Sequence, residues 1–250
     1  MVVQVVLRPP RSKAPTSLPV ASGPRSTRSR PTRNRGDTVN AFAVVTENGQ
    51  FYYAATDQTT GCLVDAVFGQ LSVSGNSISG NFDGDTPPGV NTPCAYPVVP
   101  ETGTISGTIS QRSEMTLALA GNASNLGPNT FSFSSEYNEP SSLATIAGNY
   151  TDNGGSNTLS INADGVIFEQ DPTTGCVTNG QVSVIDAQYN VYSMSLTFDN
   201  CTGTSADLNG VTLTGFASLD HRLSPAVLSY GLSTSVDGVP IVVVHANPKQ

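Results

Sequence analysis

One sequence motif occurs twice in this chain. Residues 57–62 read DQTTGC and are followed by GQLSV at 69–73, while residues 171–176 read DPTTGC and are followed by GQVSV at 180–184. The two blocks recur at nearly constant offsets, 171 − 57 = 114 and 180 − 69 = 111. A repeat of this length is far longer than the roughly 20 to 50 residues of solenoid and propeller repeats. The sequence therefore predicts two related domains in tandem.

The second copy of the repeat has the residue pattern of an antiparallel β-domain. Apolar and polar residues alternate with period two, as in YSMSLTF at 192–198. The predicted strands of this copy are 143–151, 157–163, 165–170, 176–185, 191–200, 210–219, 226–234 and 240–246. Short connections such as ADG at 163–165 suit tight hairpins, so strands adjacent in sequence are expected to be adjacent in the sheet.

The first copy matches the second strand by strand, with one strand fewer. Its predicted strands are 40–47, 49–56, 62–74, 77–83, 103–110, 114–120 and 130–136. The counterpart of 143–151 would fall in a segment rich in Arg and Pro. Because closing a sheet removes its exposed edges, we predict an all-β fold of two tandem antiparallel up-and-down β-barrel repeats, the first lacking its leading strand.

Charge divides the chain after residue 36. The first 36 residues contain eight of the eleven Lys and Arg residues and no Asp or Glu, whereas the other 214 contain three basic and all nineteen acidic residues. The two net charges are therefore +8 and 3 − 19 = −16. Residues 37–250, the body of the protein, are acidic enough to repel nucleic acid and anionic lipid, which argues against both as partners of this part of the chain. We predict a disordered basic tail at 1–36 and β-barrel repeats at 37–140 and 141–250.

The tail at 1–36 has two further interpretations. As a basic arm it would attract polyanions weakly, whereas a misassigned start codon or reading frame would make it non-native and would also account for the missing strand. Its apolar start is shorter than the core of a signal peptide, and its prolines oppose the amphipathic helix of a transit peptide. The chain has no apolar run of 18 residues, so no transmembrane segment is predicted.

The four cysteines predict two disulfides. Cys176 and Cys201 flank a hairpin whose midpoint, (176 + 201)/2 = 188.5, falls in the turn 186–190, so the two residues should face each other across the ladder. Cys62 and Cys94 occupy the equivalent positions of the first repeat. No Cys-x-x-Cys occurs, and the separations of 25 and 32 residues match no zinc pattern, so neither a metal nor a cofactor site is predicted. Disulfides in an acidic, Lys-poor body indicate an exported protein in an oxidising compartment.

Catalytic candidates are few because the chain contains only two histidines, His221 and His245. Either could act as the general base of a hydrolase, with Asp220 beside His221 as the orienting carboxylate. The chain has no Gly-x-Ser-x-Gly nucleophile elbow, which makes all three weak candidates. The repeated Asp57 and Asp171 fit turns better than the paired carboxylates of a glycosidase.

The interior of the second barrel is the remaining candidate site. The aromatic residues Phe168, Tyr192 and Phe198 are predicted to point inward. They could line a cavity for one small apolar ligand, or fill the core, as large inward side chains on short strands usually do.

The run TLSINADG at 158–165, with TTGC at 173–176 and GQVSV at 180–184, resembles exported bacterial proteins of the small calycin type, which are lipocalin-like or lipoprotein-like eight-stranded barrels. The resemblance implies a secreted binding or surface-interaction protein without catalytic activity, whose partner is an unknown small apolar ligand or a surface partner. A secreted, esterase-like hydrolase that uses His221 or His245 as general base and a structural envelope component are the alternative functions.

Overall fold

The computed structural model describes residues 39–46, 49–57, 63–86, 99–111, 113–122, 125–151, 157–172, 174–236 and 239–250. These residues form two compact all-β units, the first ending at Ser135 and the second running from Glu136 to Gln250. The predicted tail at 1–36 and the predicted bond between Cys62 and Cys94 lie outside the described residues.

Unit 1 is a half-barrel of seven antiparallel strands. The strands are β1 (Val39–Val45), β2 (Gln50–Asp57), β3 (Leu63–Ser74), β4 (Ser77–Thr86), β5 (Val99–Ser110), β6 (Glu114–Gly121) and β7 (Asn125–Ser132). They lie in the sheet in the order of the sequence. Within its described residues, unit 1 lacks the strand that would close the barrel, which confirms the prediction of seven strands for the first repeat.

Unit 2 is a nearly closed barrel of eight antiparallel strands, as predicted. The strands are β8 (Gly148–Thr151), β9 (Thr158–Ile161), β10 (Val166–Gln170), β11 (Val177–Val184), β12 (Tyr192–Asp199), β13 (Thr212–Asp220), β14 (Val227–Val236) and β15 (Val239–Pro248). Tyr150 on β8 forms a β-bridge with Lys249, and the backbone N–H of Gln250 donates to the carbonyl oxygen of Asn149 (2.8 Å). These bonds join the first strand to the end of the last one.

The leading strand of unit 2 is shorter than predicted. A one-turn helix, α1 (Leu143–Ile146), occupies the first half of the predicted strand 143–151, and β8 begins only at Gly148. The reason is local, because the Oγ of Ser142 accepts the backbone N–H of Thr145 (3.1 Å) and so caps the helix.

Two 3₁₀ helices also differ from the predicted pattern. The first covers Ser135–Asn138 and takes the place of the last residues of the predicted strand 130–136, since β7 ends at Ser132. The second covers Gly203–Leu208 in the connection between β12 and β13. Both lie in connections and leave the order of the strands unchanged.

The inward side chains of unit 2 form one apolar core. On β12, Tyr192, Met194 and Leu196 are buried and alternate with half-buried hydroxyl residues. The buried members of this core are Ile146, Tyr150, Leu159, Ile161, Ile167, Val182, Tyr192, Met194, Leu196, Leu213, Ala217, Leu219, Leu228, Tyr230 and Leu232. The apolar inner face and hydroxyl-rich outer face are the outcome of the period-two alternation in the sequence.

Two strands of unit 1 depart from that alternation. Phe51 and Tyr53 on β2 belong to the inner core, yet Tyr52 between them is only 1% exposed. Val44 on β1 is buried as well, and the ring of Tyr52 lies 4.6 Å from that of Phe68, centroid to centroid. At these positions both faces of the sheet are buried, which suits strands with continuous apolar runs.

The two units match each other closely around one hairpin. In unit 1 the N–H of Leu71 donates to the carbonyl oxygen of Gly49 (2.7 Å), and in unit 2 the N–H of Val182 donates to that of Gly165 (2.8 Å). Both glycines have a positive φ, +82° and +80°. A Cβ on Gly49 would collide with the carbonyl oxygen of Leu71, and a Cβ on Gly165 with that of Val182. Gly49 and Gly165 are therefore equivalent, at an offset of 165 − 49 = 116.

The same offset holds on the other side of this turn. Thr46 and Asn162 each donate their N–H to the carbonyl oxygen four residues later (2.9 and 3.0 Å), and 162 − 46 = 116. Consequently β1 and β2 of unit 1 correspond to β9 and β10 of unit 2. Tyr52 corresponds to Phe168, since 168 − 52 = 116.

Candidate functional site

The predicted disulfide between Cys176 and Cys201 is present, with the two Cα atoms 4.0 Å apart. The register differs by one residue from the prediction, because Val177 pairs with Asp199 and the paired numbers sum to 376 instead of 377. By that register Cys176 would face Asn200, whose positive φ of 57° turns the chain at the end of β12. This turn brings Cys201 to the bond, and the pair joins the start of β11 to the end of β12.

Asp171, the second copy of the repeated aspartate, stabilises a turn. Its carboxylate accepts the hydroxyl of Thr174 (2.6 Å) and the N–H of the same residue (3.4 Å). Gly175 follows with a φ of +74°, and its N–H donates to the carbonyl oxygen of Asp171 (2.9 Å). These bonds give Asp171 the structural role that the sequence indicated, whereas the turn after Asp57 lies outside the described residues.

Asp220 and His221, predicted as a catalytic pair, have different partners. Asp220 is buried, and its Oδ1 accepts the Nε–H of Arg222 (3.0 Å). The same arginine donates through Nη2 to the buried carboxylate of Glu136 (2.9 Å). The Nε2 of His221 lies 3.5 Å from the carboxylate of Glu139. Asp220 therefore forms an ion pair with Arg222 and does not orient His221. Within the described part of the chain, no serine hydroxyl hydrogen-bonds to His221.

The arginine and its two carboxylates, which we call the Arg222 cluster (Glu136, Asp220 and Arg222), fasten the entry segment of unit 2, residues 136–147, to the barrel. The backbone N–H of Asn190 donates to the carbonyl oxygen of Tyr137 (3.0 Å). The ring of Tyr137 stacks on the ring of Tyr189, with the two centroids 4.4 Å apart. The hydroxyl of Ser141 donates to the carbonyl oxygen of Asp186 (3.1 Å). The segment is thus tied to the turns that follow β11 and β13, which is a structural role.

His245 lies within β15, and the strand continues past it to Pro248. It pairs with Tyr230 on β14, and the two rings are 5.6 Å apart. Burial raises the pKa of Tyr230, the carboxylate of Glu169 raises it further, and a hydrogen bond with Asn247 opposes both effects. The imidazole of His245 therefore lies against the buried, neutral phenol of Tyr230.

The three predicted interior aromatics do not share one environment. Tyr192 is fully buried, and its hydroxyl hydrogen-bonds to the backbone of Ser142, donating to the carbonyl oxygen (3.3 Å) and accepting the N–H (3.2 Å). Phe198 is partly buried and packs against the core. The inward placement of Phe168 is wrong, because Ile167 is the fully buried residue of β10 and its neighbour must point to the opposite face.

The outer face of unit 2 has an uncharged surface around Phe168. Two cross-strand rows define this surface, which we call the Phe168 face: Asn149, Ser160, Phe168, Asn179, Thr197 and Thr212 form one row, and Val166, Gln181, Ser195, Thr214 and Ser233 form the other. Phe168 and Val166 are 49% and 48% exposed. The Oγ of Ser160 donates to the Oδ1 of Asn149 (2.9 Å). The face thus offers two exposed apolar side chains among hydroxyl and amide groups.

Sequence reasoning missed the Arg222 cluster and the burial of Tyr230. One signal pointed to the first, since Arg222 is one of only three basic residues after position 36 and Asp220 lies two residues before it. The alternation of Leu228, Tyr230 and Leu232 with smaller residues pointed to the second. The proximity of Tyr230 to Asn247 and Glu169 had no such signal, because these residues come from three strands that only the barrel brings together.

Among the residues that the structure describes, no group of three or more His, Cys, Asp and Glu side chains is arranged to hold a metal ion. None of the described helices has the length and apolar character needed to cross a membrane. In comparisons with known proteins, no family model, no curated protein and no solved structure matches this chain.

Proposed function

We propose that this chain is an exported bacterial, calycin-like protein without catalytic activity, which binds a partner through the Phe168 face. One observation carries the proposal. Tyr52 and Phe168 occupy the same position of the repeat, but Tyr52 is 1% exposed and Phe168 is 49% exposed. The outer face at this position is therefore a packed contact in unit 1 and an open aromatic surface in unit 2. Exposed apolar groups in polar surroundings are typical of interaction sites.

The composition of the Phe168 face favours a neutral, hydroxyl-rich partner. Neither of its two rows contains a charged side chain, although the body of the protein has a net charge of −16. Phe168 offers a flat apolar ring, and Ser160 and Asn179, directly across from it, offer a hydroxyl and an amide. Adjacent strands lie about 4.7–4.9 Å apart, so the rows present these groups at a regular spacing. A neutral polysaccharide fits this arrangement better than an anionic polymer.

The disulfide supports the export of the protein. A bond between Cys176 and Cys201 persists in oxidising compartments and is rare in the cytosol of mesophiles. An interaction with a polysaccharide outside the cell is consistent with that location.

The experiment is a binding assay on insoluble neutral polysaccharides, with cellulose, chitin and a mixed-linkage glucan as probes. The full chain and the variant Phe168→Ala are compared by depletion from solution. The matched control is Ile185→Ala, because Ile185 is also exposed, at 44%, but lies outside the two rows. We expect Phe168→Ala to weaken binding at least about tenfold, the effect of losing about 1.4 kcal/mol, and the control to bind normally. Equal binding by both variants, or no binding by the full chain, would overturn the proposal.

A further inference from the structure

Strand β1 of unit 1 and strand β9 of unit 2 are equivalent but have different neighbours. β9 pairs with β10 on one side and with β8 on the other. In the described part of the chain β1 pairs only with β2 and forms the edge of its sheet. By the offset of 116, the residues of β1 that correspond to Thr158–Ile161 are 42–45. The outer edge of β1 is the one that faces away from β2, and it corresponds to the edge of β9 that pairs with β8. It therefore carries backbone N–H and C=O groups that could pair with one more strand.

The role of β8 in unit 2 shows what such a strand supplies. Tyr150 lies opposite Leu159 and is fully buried in the core. Its hydroxyl donates to the carbonyl oxygen of Ile146, which is itself fully buried at the end of α1. One short segment thus provides a backbone ladder, an aromatic ring and an aliphatic side chain.

We infer that the outer edge of β1 is a docking site for an extended segment of a partner protein, which adds to the half-barrel as an antiparallel strand. The unpaired backbone of an edge strand selects a polypeptide, because only another backbone offers donors and acceptors at the matching spacing. The equivalent of Leu159 in β1 is the smaller Ala43, since 159 − 116 = 43. The position opposite Ala43 therefore suits an aromatic side chain such as that of Tyr150.

This docking site is separate from the Phe168 face. The β1 edge belongs to unit 1 and binds through backbone hydrogen bonds, whereas the Phe168 face belongs to unit 2 and binds through side chains. Loss of one interaction leaves the other unchanged, so the two proposals stand or fall independently.

The probe is a fluorescent peptide with the sequence of residues 141–151, SSLATIAGNYT, added to the full chain and followed by fluorescence anisotropy. The matched control peptide has serine in place of Ile146 and Tyr150, so it keeps the length and the backbone but loses both buried side chains. We expect the first peptide to bind at least about tenfold more tightly than the control, because only the first peptide can bury two apolar side chains on docking. Equal binding of the two peptides would contradict the inference.

A photo-crosslinking version of the peptide locates the site. With a benzophenone side chain at the position of Tyr150, we expect adducts on β1 after digestion and mass spectrometry. Adducts on β9 would mean that the peptide only replaces β8 in unit 2, and would overturn the inference. If a variant without residues 1–36 binds the peptide and the full chain does not, the edge is filled from within the chain, and the partner is excluded.

Discussion

The side-chain amide of Asn190 forms two hydrogen bonds with the backbone of Leu219: its Nδ2 donates to the carbonyl oxygen (2.8 Å) and its Oδ1 accepts the N–H (3.1 Å). Asn190 lies in the turn before β12 and is 2% exposed, while Leu219 is near the end of β13. One side chain therefore satisfies both backbone groups of a buried strand residue, which ties two turns at the same end of the barrel.

We predict that Asn190→Ala lowers the free energy of unfolding by about 2–3 kcal/mol, because it leaves a buried N–H and a buried carbonyl without partners. Urea denaturation followed by circular dichroism measures the loss. Asn179→Ala is the matched control, since Asn179 is exposed on β11. A loss as large in the control would show that the effect is not specific to the buried pair.

Removing the disulfide should also destabilise unit 2. We expect the double variant of Cys176→Ser and Cys201→Ser to lose about 3 kcal/mol on the chain-entropy model of a bridge that closes a short loop. Peptide mapping without reduction should recover the Cys176–Cys201 bond, and the Cys62–Cys94 bond remains a prediction that the same map tests. A bond between the two repeats, or four free thiols in exported protein, contradicts the pairing.

The buried tyrosines should make the fold sensitive to alkali. Burial raises the pKa of Tyr52, Tyr150, Tyr192 and Tyr230 above the ordinary value of 10.0. The folded state therefore keeps these protons when the unfolded state loses them, so stability is complete below about pH 10 and falls as the pH rises further.

Chemical denaturation at a series of pH values between about 8 and 11.5 measures this dependence on either side of the phenol titration. Tyr230→Phe should reduce the fall, because it removes one of the groups whose proton release is coupled to unfolding. A free energy of unfolding that stays constant across the series would show that burial of the phenols has no such effect.

The Arg222 cluster gives a charge-based prediction. Arg222→Ala leaves the carboxylates of Glu136 and Asp220 without the arginine that joins them, and we expect a loss of about 2 kcal/mol, less than for a fully buried pair because the arginine is partly exposed. Arg222→Lys should restore part of the loss, since a lysine keeps the charge but cannot donate in two directions from a planar group. If the alanine variant is as stable as the parent, the cluster does not fasten the entry segment.

The histidines give the last prediction. We expect the double variant of His221→Ala and His245→Ala to retain binding to the polysaccharide probes, because neither residue belongs to the Phe168 face. We also expect no hydrolysis of model esters by the parent or by the variant. Ester hydrolysis that falls more than about a hundredfold in the variant would identify a general base and would favour the hydrolase alternative.

Local chain geometry explains why much of the fold could be predicted. The alternation of Tyr192, Met194 and Leu196 with hydroxyl residues depends only on the period of two in a strand, so it is visible without any knowledge of the neighbours. The repeated TTGC and GQ motifs in turn relate the strands of the two copies. The Cys176–Cys201 bond could be predicted from the position of one hairpin, but the register differs by one residue and the turn at Asn200 brings Cys201 to the bond, which no count of residues reveals.

The sequence by itself determined the class of the fold, the number of strands in each repeat and the pairing of two cysteines, because each of these follows from residues that are near each other in the chain. Only the tertiary structure decided which surfaces are open. Tyr52 and Phe168 are both aromatic residues at the same position of a repeated strand, yet one is buried and the other is exposed. The difference depends on what packs against the outer face of each sheet, and packing brings together residues that are far apart in sequence.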